Sequence, residues 1–444
     1  VTAYGEQKAR LLADLAQGGA QAFGLAKRTS NLFRDRTPRK PRVDLSHFHR
    51  VISVDPSRSY ADVEGMTTFV DLADATLANR TMPAVVPQLK TITIGGAEAG
   101  VGIEATSFRH GLVHHTILEM EVLSGDGNVV LCTARNEHSD LFFGFPNSYG
   151  TLGYALRLRV QTLPVRRYVQ VEYRRFSDPI AYFVELAHAC DDPTIDFLDG
   201  VVFGRNELFL SIGRFVDEAP FSTDYTYERI YYQSIRELAT DYLTARDYLW
   251  RWDTDWFWCS KNVGAQHPLL RPLFGRSRLN SLTYQKIMRW NTRVGLMRAW
   301  NRWRGTHTES VIQDVDIPVE RAAEYLAFMH AEVGILPIWI CPIRAPDLGS
   351  PFPLYPLPPG RIYVNFGFWD VISSRQPHPP GHFNRMVEHK VSELGGIKSL
   401  YSDSYFSKDE FWSIYDANAY ADLKRKYDPS GALGDLYAKV VERR

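Results

Sequence analysis

The sequence predicts an α+β protein of more than one domain, and three observations carry that expectation. Its 444 residues are two to three times the length of a typical domain. Hydrophobic residues make up 45% and charged residues 23%, a balance that excludes a disordered or low-complexity chain. Short β-branched runs are interleaved with stretches whose apolar residues recur at three- and four-residue spacing, so strands and helices mix along the chain. The 51 basic residues equal the 51 acidic ones, so no overall field recruits nucleic acid, and a charged partner must be met by a local patch.

EQKARLLADLA (6–16) reads as a short helix, followed by a loop dense in Arg and Thr (27–42). Strands are predicted at HRVISVD (49–55), TITI (91–94), HHTILEMEVLSG (114–125) and NVVLCT (128–133). The turn from Ser124 to Asn128 makes the last two a hairpin. Helical spacing runs across 60–80. Past about residue 165, VQVEYRRF, PIAYFVELAHAC, DFLDGVVFG and LFLSIGRF read as strand, helix, strand, strand. This second α+β unit is closed by the helix IPVERAAEYLAFMHAEVG and the strand LPIWICPI, with a Trp-, Tyr- and Arg-rich helical insertion at about 225–305. A Pro- and Gly-rich connection (342–360), the strand RIYVNFGFW and helices around 382–395 and 408–426 complete the chain. The domains expected are thus 1–165, 166–400 with the insertion, and a C-terminal segment 401–444.

Several functions are excluded. Cys132, Cys190, Cys259 and Cys341 are scattered singly, without the spacing of a disulfide framework or a zinc site, which fits a reducing, cytoplasmic compartment. No metal site is expected. No run approaches the roughly 18 apolar residues of a membrane span, and no signal peptide, nucleophile elbow or P-loop is expected.

The most informative stretch is TITIGGAEAGVGIEATSFRHG (91–111). Gly100-Val101-Gly102-Ile103-Glu104-Ala105 matches a GxGxxA dinucleotide fingerprint, but Arg109-His110-Gly111 breaks the segment where that motif requires a crossover helix. The same glycines, placed after a strand, let backbone amides approach a pyrophosphate or a flat ring without Cβ interference. A loop of glycines that only turns tightly is the plainer alternative.

Gly95-Gly96, then Gly111 in Arg-His-Gly, a hairpin with Asp126-Gly127, and SDLFFGFPNSYGTLGYALRLRV (139–160) together resemble the FAD-binding domain of the vanillyl-alcohol oxidase, or PCMH, type. TIGGAEAGVGIEATS, SDLFFGFPNSYGTLG, LPIWICP and SLYSDSYFSKDEFW (399–412) are more narrowly similar to the FAD-dependent delta-24 sterol reductases, from about residue 25 to the C-terminus. The resemblance implies a two-part PCMH-type FAD-binding domain beside an α+β substrate, or cap, domain carrying the insertion, and a C-terminal segment that returns to the flavin. It places Thr93, Ile94, Gly95, Gly96, Gly100, Gly102, Ile103, Glu104, Ala105, Ser107, Gly111, Gly150, Thr151 and Gly153 along the cofactor. The first phosphate loop carries Ser30 and Asn31 but no His or Cys for covalent attachment, so FAD is expected to bind noncovalently. The sterol reductases' N-terminal membrane anchor is expected to be missing, a layout shared with bacterial reductases that convert a methylene-branched fatty acyl chain to a methyl-branched one.

The implied reaction is reduction of a lipid C=C bond, with NADPH renewing the flavin. An isolated alkene has no carbonyl to accept electron density, so an acid must lead or accompany hydride transfer. Candidate donors are Tyr401, Asp403, Tyr405, Glu104, His110, His114 and His115, with Tyr405, Tyr401 and Glu104 placed first. Half-buried packing is the plainer reading for either tyrosine, and loop stabilisation for Glu104. On the strand LPIWICP, either Trp339 with Cys341 or Ile338 with Ile340 can face the flavin. The same FAD domain also hosts alcohol oxidases and dehydrogenases, and a noncatalytic peripheral lipid-binding protein would share the fold.

The neutral total conceals one patch. From Lys261 to Gly305 there are ten Lys or Arg, among them Arg289, Arg293 and Arg298, and no Asp or Glu. Trp250, Trp252, Trp256, Trp258, Trp290, Trp300 and Trp303 crowd the same region, a pairing that suits an anionic membrane surface. A solvated basic face paired with acids elsewhere is the alternative for this patch; the expectation is a cytoplasmic protein, or one peripheral on the inner face of the membrane, taking a lipid substrate, binding no nucleic acid, with homo-oligomers open.

Overall fold

The computed structural model describes residues 3–18, 24–26, 42–227, 229–294 and 306–443, with Arg42 and residues 288–294 as backbone alone. A short parallel pair, β1 (Gly24–Ala26) and β2 (Arg42–Asp44), lies ahead of two larger sheets. The first contains β3 (Val51–Asp55), β4 (Tyr60–Glu64), β5 (Thr81–Pro83), β6 (Ile117–Leu123), β7 (Val129–Cys132) and β8 (Tyr154–Pro164), in the order β3-β4-β8-β6-β7 with β5 also on β8. The second contains β9 (Tyr168–Phe176), β10 (Phe197–Gly204), β11 (Glu207–Val216), β12 (Thr240–Thr244), β13 (His307–Pro318), β14 (Ile338–Arg344), β15 (Ile362–Ser374) and β16 (Ile397–Lys398). Its order is β12-β9-β11-β10-β14-β15-β13-β16. This is an α+β architecture, a smaller sheet beside a larger one, standing where the resemblance puts the FAD domain and the cap.

The helical spacing read across 60–80 resolves into β4 and the helix Phe69–Leu77. In β4, Ala61 and Val63 enter the core while Asp62 and Glu64 take the other face. There Asp62 meets Arg157 at 2.8 Å and Arg159 at 2.9 Å, and Glu64 meets Arg50 at 2.7 Å. Paired carboxylates therefore tolerate burial that a sequence pattern does not foresee. The Asp71 amide donates to the Thr68 hydroxyl at 3.3 Å and caps the helix that follows.

TITI is not a strand. Thr93 is extended and caps the helix Ile94–Glu98, its hydroxyl accepting from the Gly96 amide at 3.2 Å. Local capping overrides the β-branched composition. The insertion is likewise not wholly helical, because β12 joins the sheet edge against β9 before the short helices begin.

The cap sheet has two differently filled faces. Ile338 and Ile340 point back to the helices Pro179–Ala189, Ala322–Phe328 and His382–Glu393, with Val315, Val364 and Phe366. Trp339, Cys341 and Ile343 join the core shared with the FAD domain and the insertion. Period-two alternation thus sends Trp339 and Cys341, rather than the isoleucines, to the FAD-domain side.

Candidate functional site

The glycine segment lies between the two sheets. Gly96 is exposed and Gly95, Gly100, Gly102 and Ile103 keep accessible surface, while Thr93, Ile94, Ala105, Ser107 and Gly111 are buried. Val101, between two glycines, adopts φ 51°, a strained conformation for a β-branched residue that surrounding structure must hold in place. Gly102 accepts from the Val113 amide at 2.8 Å, which ties the segment to the turn Val113–Thr116. A Cβ on Gly102 would stand 2.9 Å from Pro87 Cγ and 3.0 Å from Val113 Cγ2. Gly102→Val is therefore expected to cost about 1–3 kcal/mol with or without a cofactor, readable as a lowered thermal midpoint in both forms.

A second loop meets the first. Asn147, Tyr149 and Gly150 all have positive φ (63°, 49° and 77°), and Gly153 has φ 143°. A Cβ on Gly153 would lie 2.6 Å from the Leu123 carbonyl oxygen. The Tyr149 amide donates to Ala99 O at 3.2 Å and its hydroxyl to Gly100 O at 3.3 Å. The C-terminal helices secure this loop, Lys424 donating to Thr151 O at 3.1 Å and Lys439 to Tyr149 O at 2.6 Å.

The cap sheet adds a row of polar groups on its FAD-domain face. Asp314 and Asp316, two residues apart on β13, stand opposite Gly367 and Asn365 of β15. Asp316 accepts from Tyr355 at 2.7 Å and from Asn365 at 2.8 Å, and burial raises its carboxyl to about 6. Asp314 is hydrogen-bonded to Tyr401, whose hydroxyl accepts from Trp369 Nε1 at 2.9 Å. Burial raises Asp314 to about 7, and its Oδ1 has no hydrogen-bond partner among the described residues. Burial also pushes Tyr401 well up, with Asp314 adding to it, and Tyr149 stands close enough to contribute. Gly367 makes the room: a Cβ there would lie 2.6 Å from Asp314 Oδ1.

Glu104 belongs to a neighbouring network. The buried Arg251 donates to Glu104 at 3.0 Å and to Asp199 of β10 at 2.8 Å, and Asp199 also accepts from Trp339 Nε1 at 3.1 Å. Cys341 Sγ donates to the Glu104 carbonyl at 3.3 Å. Burial raises the Glu104 carboxyl to about 7 against the opposing pull of Arg251. Glu98, on the glycine segment, is raised by burial alone to about 8.

The sequence-predicted residues do not all converge. Tyr401 turns inward to Trp369 and Asp314, whereas Tyr405 turns to Arg443 at 3.2 Å. Tyr405 helps line a groove of about 480 Å³ with Arg385, His389, Glu410 and Tyr437. Burial lowers His110 to about 4 and His115 to about 3, and lowers His114 well below its ordinary value, so these rings are neutral near pH 7 and do not serve as acids there. Ser30 and Asn31 lie outside the described residues. Asp314, Asp316 and Arg251 escaped sequence reasoning, although Val311, Val315 and Ile317 alternate with the two aspartates in the manner of a strand. Among the described residues no group of three His, Cys, Asp or Glu is placed to hold a metal ion, and no helix is long and apolar enough to cross a membrane.

The arrangement fits a flat, phosphate-bearing cofactor. Side-chain-free backbone is accessible along the glycine segment, and beside it lie buried polar atoms without partners among the described residues: both ring nitrogens of His114, Glu98 Oε2 and Ser148 Oγ. Comparison with known proteins points the same way. The family model described as an FAD binding domain matches residues 17–133. The delta(24)-sterol reductase of Homo sapiens is 26% identical over 411 residues, covering 88% of this chain and 76% of that protein. That of Pisum sativum is 25% identical over 451 residues, covering 90% and 76%. Cytokinin dehydrogenase 7 of Oryza sativa subsp. japonica is 29% identical over 171 residues, covering 37% and 31%. The chain carries a PCMH-type FAD-binding domain and is a distant homologue of the delta(24)-sterol reductases.

Proposed function

We propose that this FAD-dependent oxidoreductase reduces a C=C bond of a lipid, a methylene-branched acyl chain or a sterol-like side chain, with NADPH as reductant. The observation that carries the reading is the half-buried Asp314–Tyr401 pair beside the glycine segment. Segment 93–111 with Gly150, Thr151 and Gly153 would hold FAD, which when bound supplies the hydride. The chain's own task is then the proton. A carboxyl at about 7 retains a proton near neutral pH, and Tyr401 can pass it on from its hydroxyl while recovering one from Asp314. Protonation of a branched alkene develops tertiary cation character, so the two hydrogens added are one proton from this pair and one hydride. Trp258, Trp339, Trp369 and Phe257 pack together over the same sheet face, with Phe257 and Trp369 4.4 Å apart, and exclude water. Glu104, held by Arg251, positions the glycine segment in this scheme.

The purified protein, under anaerobic conditions, is expected to bleach with NADPH and recover its absorbance with a methylene-branched acyl lipid or an unsaturated sterol. Oxygen consumption driven by an alcohol, without bleaching by NADPH, would replace the reductase by an oxidase. Failure to bleach or turn over with either would leave a lipid-binding protein. Acid precipitation is expected to release all of the flavin; colour retained in the pellet would contradict noncovalent binding.

A further inference from the structure

We propose that the tip of the insertion, residues 267–278, docks on an anionic lipid surface. The four tryptophans at 250, 252, 256 and 258 are core residues, so the aromatic part of the patch seen in the sequence is not available to a membrane. Trp290, Trp300 and Trp303 lie outside the described side chains. Three leucines stand in their place. Leu269 is 78% exposed, Leu273 72% and Leu270 43%, and the first two are the most exposed large apolar residues of the described chain. Exposed Pro268 and Pro272 flank them.

This tip is built rather than frayed. Beneath it Arg271 is buried and donates twice to Asp255, at 2.8 and 3.2 Å, and to Tyr227 O at 2.8 Å. The Leu270 and Arg271 amides both donate to His267 O at 2.9 Å. A hydrophobic surface held in place by a buried ion pair meets a partner without first paying to be ordered.

Charge selects the partner. Lys261 is engaged by Asp370 at 3.1 Å and Arg276 by Asp224 at 3.0 Å. Arg278 and Lys286 are exposed and have no acidic partner among the described residues. Exposed leucines with cations that lack an acidic partner among the described residues, in a stretch of sequence without a single carboxylate from Lys261 to Gly305, suit apolar insertion below anionic headgroups. A second copy of the chain is poorly matched, since a stable protein interface needs about 800 Å² per partner and three leucines fall well short. The inference stands apart from the reduction chemistry, so failure of either leaves the other untouched.

Co-sedimentation of the full chain with phosphatidylglycerol or phosphatidylcholine vesicles decides it. The wild type is expected to sediment with the former, less as salt rises. Leu269→Ser combined with Leu273→Ser is expected to lower the partition coefficient by at least about tenfold per leucine. Arg278→Glu with Lys286→Glu is expected to lower it by about fivefold or more per site. All four positions are exposed, so the variants should keep the wild-type melting temperature. Failure of the wild type to sediment with phosphatidylglycerol, or equal sedimentation of the leucine variant, would overturn the proposal. So would a concentration-dependent dimer in velocity sedimentation that the leucine variant abolishes.

Discussion

Asp314→Asn is expected to slow lipid-driven recovery of flavin absorbance by about 10²–10⁴-fold, while bleaching by NADPH proceeds unchanged. An amide cannot carry a transferable proton, so Tyr401 would keep the hydrogen bond from Trp369 and lose the acid that renews its proton. Tyr401→Phe should fall in the same range by removing the hydroxyl that delivers the proton. Stopped-flow absorbance separates the two half-reactions, and Asp314→Asn with a wild-type recovery rate would remove the pair from the chemistry. The pH profile is a second readout. With its carboxyl at about 7, the wild-type step should decline as pH rises through that value, and the asparagine variant should lose this inflection. Stability follows the same sign. The folded carboxyl is raised and binds a proton where the unfolded one does not, so its contribution is complete below about pH 4 and is lost as pH rises to about 7.

Arg251→Met is expected to have the largest effect on stability. It removes the guanidinium shared by Glu104 and Asp199 and leaves two carboxyls buried without a cation. Breaking a buried ion pair in this way costs about 3–5 kcal/mol, readable as a lowered urea midpoint. Glu104→Gln should be much milder, because an amide oxygen still accepts from Arg251 and the site loses a charge that burial disfavours. Combining the two should cost less than Arg251→Met alone plus Glu104→Gln alone. An unchanged midpoint for Arg251→Met would show that the network carries little of the fold.

Most of the cap sheet is visible in the sequence because its strands alternate apolar residues or run continuously apolar, as in LFLSIGRF and RIYVNFGFW. β13 is not, and the acid pair went with it. In HTESVIQDVDIP the polar positions suggest a solvent face, and Thr308 and Ser310 do face solvent, but the FAD-domain side of the sheet buries Asp316 and half-buries Asp314. Binary patterning equates polar with wet, and a site buried between two domains breaks that equation. The tryptophans of the insertion mislead in the opposite direction. Their number suggests a headgroup belt, whereas Trp252 stacks on Phe257 at 4.7 Å and Trp258 meets Trp369 at 5.5 Å inside the core. The glycine segment was legible in composition but not in conformation, since Gly95 and Gly96 belong to a helical turn and not to a loop after a strand.

The strand order of the cap sheet has a mechanical consequence. Strands β9 to β11 precede the insertion, β12 lies within it and β13 to β16 follow it, and the order β12-β9-β11-β10-β14-β15-β13-β16 keeps β9 to β12 and β13 to β16 on opposite sides. Among the described residues one ladder alone joins them, β10 to β14, through the pairs Gly200 with Ile340, Val201 with Trp339 and Val202 with Ile338. The sheet is two plates meeting at a short seam. Asp199 on one plate and Trp339 on the other share the hydrogen bond that lies across it, and Arg251 reaches Asp199 from the insertion. The buried network thus rivets the seam, and a load that pulls the plates apart falls first on the residues that also hold the glycine segment.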